Sequence, residues 1–238
     1  MLSKSQIKLI TSLKQKKYRH QHGLFVVEGI KTIKELLLSN LKLHKLYTTE
    51  SFNIDAKDEV IVSDKDLKRI SFLTTPNKAL AIFKISKPQS VNETGLIVAL
   101  DAIRDPGNLG TIIRLCDWFG VKELVCSKET VDCFNPKVIQ ATMGSITRVN
   151  ISYIDLESFI KTSELPVFGA FMEGENVYGE KLPGKGILVM GNEANGVSKE
   201  IEAVITQKVS IPRFGEIQAT ESLNVATATA ILLSEFRR

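Results

Sequence analysis

Residues 100–120 read LDAIRDPGNLGTIIRLCDWFG, and this segment carries the clearest fold signal in the chain. It follows the apolar run LIVAL (96–100), which is typical of a buried strand. Pro106 and Gly107 then predict a turn. Beyond the turn, apolar residues recur at the spacing of one helix face, and Asn108 lies where a helix N-cap is expected. These features predict one strand–helix unit of a parallel sheet.

The rest of the chain also alternates between strand-like and helix-like segments. In the first part, helical patterns cover 3–17 and 30–39, and strand-like runs cover 24–28, 43–49, 59–63 and 79–85. In the second part, the strand-like runs are LIVAL, KELVCS, RVNISYI, VFGAF and ILVMG, and residues 221–236 have a strong helical pattern. This alternation predicts an α/β fold with a mostly parallel sheet covered on both faces. Such sheets bind ligands in the loops at the carboxyl ends of their strands.

A polar segment, KPQSVNETG at 87–95, separates two strand-like runs. It carries Pro88 and ends in Gly95, which is typical of a linker. The sequence therefore predicts two domains, a small N-terminal α/β domain at 1–86 and a larger domain at 96–238.

The composition limits the class of protein. Of the 238 residues, 43% are hydrophobic, and the net charge of +4 is compatible with a polyanionic partner. We expect neither a signal peptide nor a membrane-spanning helix, because no apolar stretch is long enough. The cysteines Cys116, Cys126 and Cys133 are odd in number and form no C-x-x-C pair, so a disulfide framework and a zinc site are not expected. The prediction is a cytoplasmic protein with reduced thiols and no bound metal.

The N-terminal arm is strongly basic. Residues 1–27 contain six Lys and Arg and no Asp or Glu, so the charge of this segment exceeds that of the whole chain. The candidate phosphate contacts are Lys14, Lys16, Lys17 and Arg19. A solvated helix face would explain the same run of charge without any nucleic acid.

Two loops in the second part carry polar residues beside strand ends. In the first loop, Arg114 follows Asn108 by six residues and has mainly apolar neighbours, although a capped helix with a surface arginine would look similar. The second loop lies in ILVMGNEANGVSKEI (187–201), where a strand runs into a glycine-rich turn and a helix capped by Ser198. Glycines allow close backbone approach to a ligand. Glu193 would repel a phosphate and suits a ligand with hydroxyls or positive charge, but an ordinary strand-to-helix turn remains an alternative.

A third loop lies in VSIPRFGEIQATESLNVATATAILLSEF (209–236). Ser222 and Asn224 open a helix whose 226–230 stretch is AlaThrAlaThrAla, and small residues of this kind allow very close packing. Helix capping and core packing would explain these residues equally well.

Two common ligand-binding motifs are missing. No G-x-G-x-x-G follows a strand, which argues against a nicotinamide-dependent oxidoreductase. GENVYGEK (174–181) has the glycine spacing of a phosphate loop, but Glu180 occupies the position of the lysine.

In their order and spacing, DPGNLGTIIR, GNEANG and IP…SLNVATATAILLSEF resemble the three signature motifs of the SpoU (TrmH-like) family of RNA ribose methyltransferases, in the SPOUT superfamily. The resemblance is close over 96–238. Over 1–86 it is looser and points to the family's small RNA-binding domain. It implies a C-terminal parallel-sheet methyltransferase domain tied in a trefoil knot, S-adenosylmethionine as cofactor, and a homodimer with the active site at the subunit interface.

The resemblance also assigns site residues. The implied catalytic residues are Asn108, Arg114, Glu193, Ser222 and Asn224. The implied cofactor-binding residues are Met190, Gly191, Asn192, Gly196, Ile211 and Leu223. This chain departs from many relatives by additional residues, GEIQATE (215–221), between the two parts of the third motif.

The expected activity is methyl transfer to a ribose 2′-hydroxyl of structured RNA, with ribosomal RNA favoured over transfer RNA. The guanidinium of Arg114 is a poor base, so we expect it to stabilise the developing alkoxide electrostatically. Two alternatives stay open. The chain could methylate an RNA base, or it could bind RNA on the same scaffold without catalysis.

Overall fold

The structure is a computed structural model, and it describes residues 2–215 and 222–238. The described helices are α1 (Lys4–Ser12), α2 (Lys16–His22), α3 (Ile30–Leu37), α4 (Asp64–Ile70), α5 (Pro106–Trp118), α6 (Pro136–Thr142), α7 (Leu156–Thr162), α8 (Lys199–Glu202) and α9 (Val225–Phe236). The described strands are β1 (Leu24–Glu28), β2 (Leu43–Thr48), β3 (Glu59–Ile61), β4 (Ala79–Lys84), β5 (Leu96–Leu100), β6 (Glu123–Cys126), β7 (Asn150–Tyr153), β8 (Val167–Asn176), β9 (Gly186–Met190) and β10 (Gln207–Ser210).

The chain forms two compact units. The N-terminal unit comprises Met1–Lys87 and Asp132–Thr147, and the C-terminal unit comprises Pro88–Val131 and Arg148–Arg238. The first division falls at the start of the predicted linker. The sequence pattern had assigned 132–147 to the second domain, whereas the structure places this segment in the N-terminal unit.

The N-terminal unit contains a four-stranded sheet in the order β1-β4-β2-β3. Strand β4 runs antiparallel to both β1 and β2, and β3 pairs with β2 in parallel. Each of these strands was predicted. The single helix predicted at 3–17 is in fact two helices, α1 and α2, and the short α4 was missed. Ser63 caps α4 by accepting a hydrogen bond of 3.1 Å from the Asp66 backbone N–H.

The segment 132–147 belongs to this unit because its apolar side chains complete the unit's core. Helix α6 packs against β1, and the rings of Phe134 and Phe25 have centroids 4.8 Å apart. Ile139 is buried in the same cluster, and Ile146 packs against it. Local periodicity predicts such a helix but does not indicate which of the two hydrophobic cores it packs against.

The C-terminal unit contains a six-stranded sheet in the order β10-β8-β9-β5-β6-β7, with every neighbouring pair parallel. This confirms the predicted parallel α/β sheet. The central strands β5 and β9 are buried at every position, as their continuous apolar runs indicate. Leu100 and Met190 are register partners, so the loops that follow these two strands lie side by side.

The start of α5 differs from the prediction at Asn108. Asp105, not Asn108, is the N-cap, and its carboxylate accepts a hydrogen bond of 2.8 Å from the Asn108 backbone N–H. Pro106 occupies the first turn, where its missing N–H is no disadvantage. The Asp-Pro pair thus starts the helix earlier and leaves the Asn108 side chain available for other contacts. Across residues 2–215 and 222–238, no helix has both the length and the apolar character needed to cross a membrane.

Candidate active site

One predicted catalytic residue from each of the three loops enters a shared hydrogen-bond network. The Asn108 side-chain nitrogen donates to Glu193 Oε1 at 2.8 Å. The Asn224 side-chain nitrogen donates to Asn108 Oδ1 at 2.9 Å. Asn108 therefore links the loop after β9 to the start of α9.

Asn224 has a second role as the N-cap of α9. Its Oδ1 accepts hydrogen bonds from the backbone N–H groups of Ala226 at 3.0 Å and Thr227 at 3.2 Å. Because Oδ1 of Asn224 accepts these two hydrogen bonds, its Nδ2 points to Asn108. The helix start and the three-loop network are therefore fixed by the same side chain.

The glycine-rich loop after β9 is held by Asn192. Its Oδ1 accepts hydrogen bonds from the backbone N–H groups of Ala194 at 2.9 Å and Asn195 at 3.1 Å, and its Nδ2 donates to the Ala102 carbonyl at 2.6 Å. The loop is also closed by paired backbone hydrogen bonds between Asn192 and Gly196, each 2.9 Å long. Asn192 thus fixes the loop that carries Glu193 against the loop that follows β5.

Gly191 is required by the close approach of two backbone segments. A Cβ added there would lie 2.4 Å from the carbonyl carbon of Gly196 and from the nitrogen of Val197. Such a distance is far below van der Waals contact, so a side chain at this position would force the loop open.

A cavity of about 920 Å³ opens beside this loop. All six predicted cofactor-binding residues line it: Met190, Gly191, Asn192, Gly196, Ile211 and Leu223. Glu193 and Ser222 also line the cavity, and so do apolar side chains of α9. The volume lies within the range of cavities that hold small molecules and cofactors, about 300–1,000 Å³. Apolar side chains beside a loop of backbone amides suit a ligand with a flat apolar part and polar groups, so the residues fit S-adenosylmethionine.

Arg114 lies apart from this network. It is exposed on α5 and absent from the cavity lining, and its side chain makes no hydrogen bond or ion pair with any residue in 2–215 or 222–238. A position six residues after Asn108 lies about 240° around the helix, which accounts for the separation.

Sequence patterns did not reveal Asp101. This carboxylate is buried directly after β5, and its Oδ2 accepts a hydrogen bond of 2.7 Å from the Ser198 backbone N–H at the start of α8. Next to it, Ala102 has a left-handed backbone with φ of 56°. The sequence shows only an acidic residue after an apolar strand. It does not indicate that this carboxylate binds the backbone N–H of Ser198, which is 97 positions away.

The predicted RNA contacts divide into two groups. Lys14, Lys16 and Lys17 are exposed at the connection between α1 and α2 and at the start of α2. Arg19 is 2% exposed, and its guanidinium donates to Asp132 Oδ2 from Nε at 2.9 Å and from Nη2 at 2.5 Å. Its Nη1 donates to the carbonyls of Leu13 at 3.0 Å and Lys14 at 2.9 Å. The prediction that Arg19 contacts RNA is therefore wrong, because a buried carboxylate and two carbonyls occupy its donors.

Two other expectations concern metals and the long loop. Within the described part of the chain, no three or more His, Cys, Asp or Glu side chains are grouped so that they could hold a metal ion. The additional loop residues are GEIQATE (215–221), and those at 216–221 lie outside the residues that the structure describes.

The parallel sheet, the side-by-side loops and the cavity at the strand ends define an α/β protein that binds a small ligand at the carboxyl edge of its sheet. Sequence comparison then identifies the family. The sequence model of the SpoU rRNA Methylase family matches residues 95–234, and the chain belongs to that family. The model of the MRM3-like substrate binding domain matches residues 4–81.

Individual relatives are similar to this chain over nearly its whole length. A putative RNA methyltransferase of the TrmH family from Porphyromonas gingivalis has a solved structure that is 38% identical, with a TM-score of 0.89 and coverage of 100% of this chain and 99% of that one. The AdoMet-bound rRNA methyltransferase from Sinorhizobium meliloti is 31% identical, also with a TM-score of 0.89, covering 100% and 97%. The Bacillus subtilis protein named 23S rRNA (guanosine(2553)-2′-O)-methyltransferase RlmP is 27% identical over 234 residues, covering 94% and 93%. These matches confirm the family resemblance and the fold class.

Proposed function

We propose that this protein transfers a methyl group from S-adenosylmethionine to a ribose 2′-hydroxyl of ribosomal RNA. The observation that carries the proposal is the Asn108–Glu193–Asn224 network beside the 920 Å³ cavity. Membership of the SpoU rRNA Methylase family and the names of the relatives support the same activity.

S-adenosylmethionine supplies a methyl group that its positively charged sulfur activates for attack. The cavity residues Met190, Gly191, Asn192, Gly196, Ile211 and Leu223 hold this cofactor. The glycines leave the backbone amides of the loop accessible, and the apolar side chains exclude water from the bound ligand. Binding both reactants in one orientation then supplies much of the rate acceleration.

The difficult partner is the ribose hydroxyl, which is a weak nucleophile until it loses its proton. Glu193 and Asn224 orient the Asn108 amide, and Ser222 lines the same cavity as Glu193. These side chains form a polar surface for the ribose. Arg114 stabilises the oxygen as negative charge develops, because a guanidinium donates hydrogen bonds and stays charged.

The active enzyme is a homodimer, and its site lies at the subunit interface. Two features of α5 support this arrangement. Arg114 is exposed and does not line the cavity of its own chain, so a second copy can present it to the ribose. Trp118, at the end of the same helix, is 82% exposed, which suits a helix face that a partner covers. The methyltransferase domain carries the trefoil knot that the family resemblance implies.

The two units divide the work. The C-terminal unit is the methyltransferase domain, and the N-terminal unit binds RNA through Lys14, Lys16 and Lys17. The protein acts in the cytoplasm, where the ribosomal RNA is accessible. Its cysteines Cys116, Cys126 and Cys133 are all buried and form no disulfide, and burial raises the pKa of the Cys116 thiol to about 12. Such thiols suit a reducing compartment.

The activity is tested by incubating the protein with unmodified ribosomal RNA and radiolabelled S-adenosylmethionine, followed by alkaline hydrolysis. A 2′-O-methyl group removes the hydroxyl that alkali needs, so label in dinucleotides supports the proposal. Label in mononucleotides means base methylation. Absence of label with intact cofactor binding indicates an RNA-binding protein that is not catalytic on this RNA.

A further inference from the structure

Two exposed aromatic rings in the C-terminal unit have no assigned role. Phe214 is 84% exposed and Tyr178 is 39% exposed. Their ring centroids are 6.4 Å apart, and the ring planes are inclined by 30°. This separation is within the range of interacting aromatic pairs, about 4.5–7 Å. The two residues therefore form one exposed aromatic surface rather than two isolated side chains.

Both rings belong to chain segments that also contribute residues to the cavity lining. Phe214 comes directly after Ile211, Pro212 and Arg213, which all line the cavity. Met172 and Glu173 of β8 also line it, and Tyr178 follows two residues after the end of that strand. Phe214 is therefore the chain neighbour of a residue that lines the cavity, and its contact with Tyr178 extends the aromatic surface from there.

Hydrogen bonds fix the segment that carries Tyr178. The Val177 backbone N–H donates to the Ser210 carbonyl at 3.0 Å, which ties the segment to the end of β10. The Tyr178 N–H donates to Asn176 Oδ1 at 3.0 Å, and the Tyr178 carbonyl accepts from Arg238 at 3.4 Å. An exposed ring on a fixed backbone loses little conformational freedom when a flat ligand stacks on it.

We propose that Phe214 and Tyr178 form a stacking site for a nucleobase of the RNA substrate. This inference rests on the proposed function, because an RNA substrate is what would bring nucleobases to these rings. Nucleobases have flat π-faces that stack on aromatic side chains, and protein recognition of unpaired RNA bases relies on such stacking. Stacking alone accepts any base, so the site positions the nucleotide and leaves sequence selection to other contacts.

The test compares Phe214→Leu, which keeps an apolar side chain but removes the π-face, with Phe214→Tyr, which keeps it. The substrate is an unmodified 23S rRNA transcript. We expect Phe214→Leu to raise the KM for this RNA about tenfold, as removal of one stacking interaction predicts, and Phe214→Tyr to stay near the wild-type value. Tyr178→Leu should raise the same KM in the same direction. The affinity for S-adenosylmethionine and the oligomeric state should be unchanged in all three variants.

Leu38→Ala is the matched control, because it truncates another large apolar side chain that is 89% exposed, in the N-terminal unit. A direct readout that needs no turnover is the fluorescence of an RNA hairpin with 2-aminopurine in its loop. Wild-type protein should quench this fluorescence, and Phe214→Leu should not.

The outcomes separate the two proposals. Equal RNA KM values and equal quenching for Phe214→Leu and wild type would overturn the stacking site. Altered oligomeric state in Phe214→Leu would overturn it too, because the rings would then contact a second copy of the chain. Quenching by a wild-type protein that methylates no RNA would leave the stacking site standing and remove the proposed activity instead.

Discussion

Asn108 donates a hydrogen bond of 2.8 Å to Glu193, a residue 85 positions further along the chain. The other end of the same amide accepts a hydrogen bond of 2.9 Å from Asn224. An amide has one donor end and one acceptor end, so its orientation is set only when one neighbour accepts and the other donates. Glu193 and Asn224 meet this condition, and together they select one of the two orientations of Asn108.

Removing the Glu193 carboxylate, which accepts the hydrogen bond from Asn108, should leave the Asn108 side chain without a fixed orientation. We expect Glu193→Ala to lower kcat/KM for methyl transfer by about 100-fold, because small displacements of positioning groups have effects of this size. Glu193→Gln keeps an acceptor oxygen and should lose less. The measurement is incorporation of labelled methyl groups into rRNA. Glu200→Ala, an equal change of charge at another exposed glutamate of the same unit, is the control and should retain full activity.

Asn224 allows helix capping and network formation to be separated. Asn224→Asp keeps the oxygen that caps α9 but replaces the donor to Asn108 with a second oxygen, so activity should fall while thermal stability stays the same. Asn224→Ala removes both contacts and should also lower the free energy of unfolding by about 1 kcal/mol. Thermal melting and methyl-transfer assays on both variants provide the test. Full activity in Asn224→Asp would show that the donor is dispensable.

Arg114 should affect turnover and not folding. It is exposed and has no described partner, so Arg114→Ala should change the free energy of unfolding by no more than about 0.5 kcal/mol. The same variant should bind S-adenosylmethionine normally and lose most of its kcat, and Arg114→Lys, which keeps the charge without the planar fork, should recover only part of it. Isothermal titration and single-turnover assays distinguish these effects. Unchanged turnover in Arg114→Ala would remove this residue from the mechanism.

Local sequence patterns predicted most of the fold because strands and helices are determined over short windows. The apolar runs that became β5 and β9 are buried at every position, as their composition required. The position of Asn108 was misjudged because Asp105 and Pro106 together form the stronger helix start. Ligand binding was expected in the loops at the carboxyl ends of the strands, and the loops after β5 and β9 do lie side by side at that edge.

Contacts between distant residues were not predictable in this way. Arg19 looks like its basic neighbours in the sequence, and only the fold reveals that Asp132, 113 positions away, occupies its guanidinium. The Asn192 side chain bonded to the Ala102 carbonyl is a similar case. Both contacts join segments that are far apart in the sequence, and helix or strand periodicity does not indicate which distant segments will meet.

The lysines of the N-terminal arm should dominate the electrostatic part of RNA binding. Replacing Lys14, Lys16 and Lys17 with alanine should weaken RNA binding and reduce the slope of log K against log salt by roughly 0.7–0.9 for each phosphate that the protein no longer neutralises. A triple alanine variant at the exposed residues Lys57, Lys65 and Lys68 removes the same charge elsewhere in the unit and is the control. Filter binding over a range of KCl concentrations gives both slopes. Equal slopes in the two triple variants would mean that the RNA does not contact the arm.

The buried pair of Arg19 and Asp132 should stabilise the N-terminal unit against local unfolding. Asp132→Ala leaves a charged guanidinium buried without its carboxylate, and breaking a buried ion pair in this way is destabilising by about 3–5 kcal/mol. The loss of stability should appear as a lower urea midpoint and as faster hydrogen exchange in β1 and α6. The double variant Arg19→Met with Asp132→Leu should recover much of it, because apolar side chains of similar size need no buried partner. Asp55→Ala removes one member of the exposed pair with Lys57 and should leave the urea midpoint unchanged. If Asp132→Ala unfolds at the wild-type urea concentration, the pair does not hold 132–147 in the N-terminal unit, and the apolar contacts of Phe134 and Ile139 alone are sufficient.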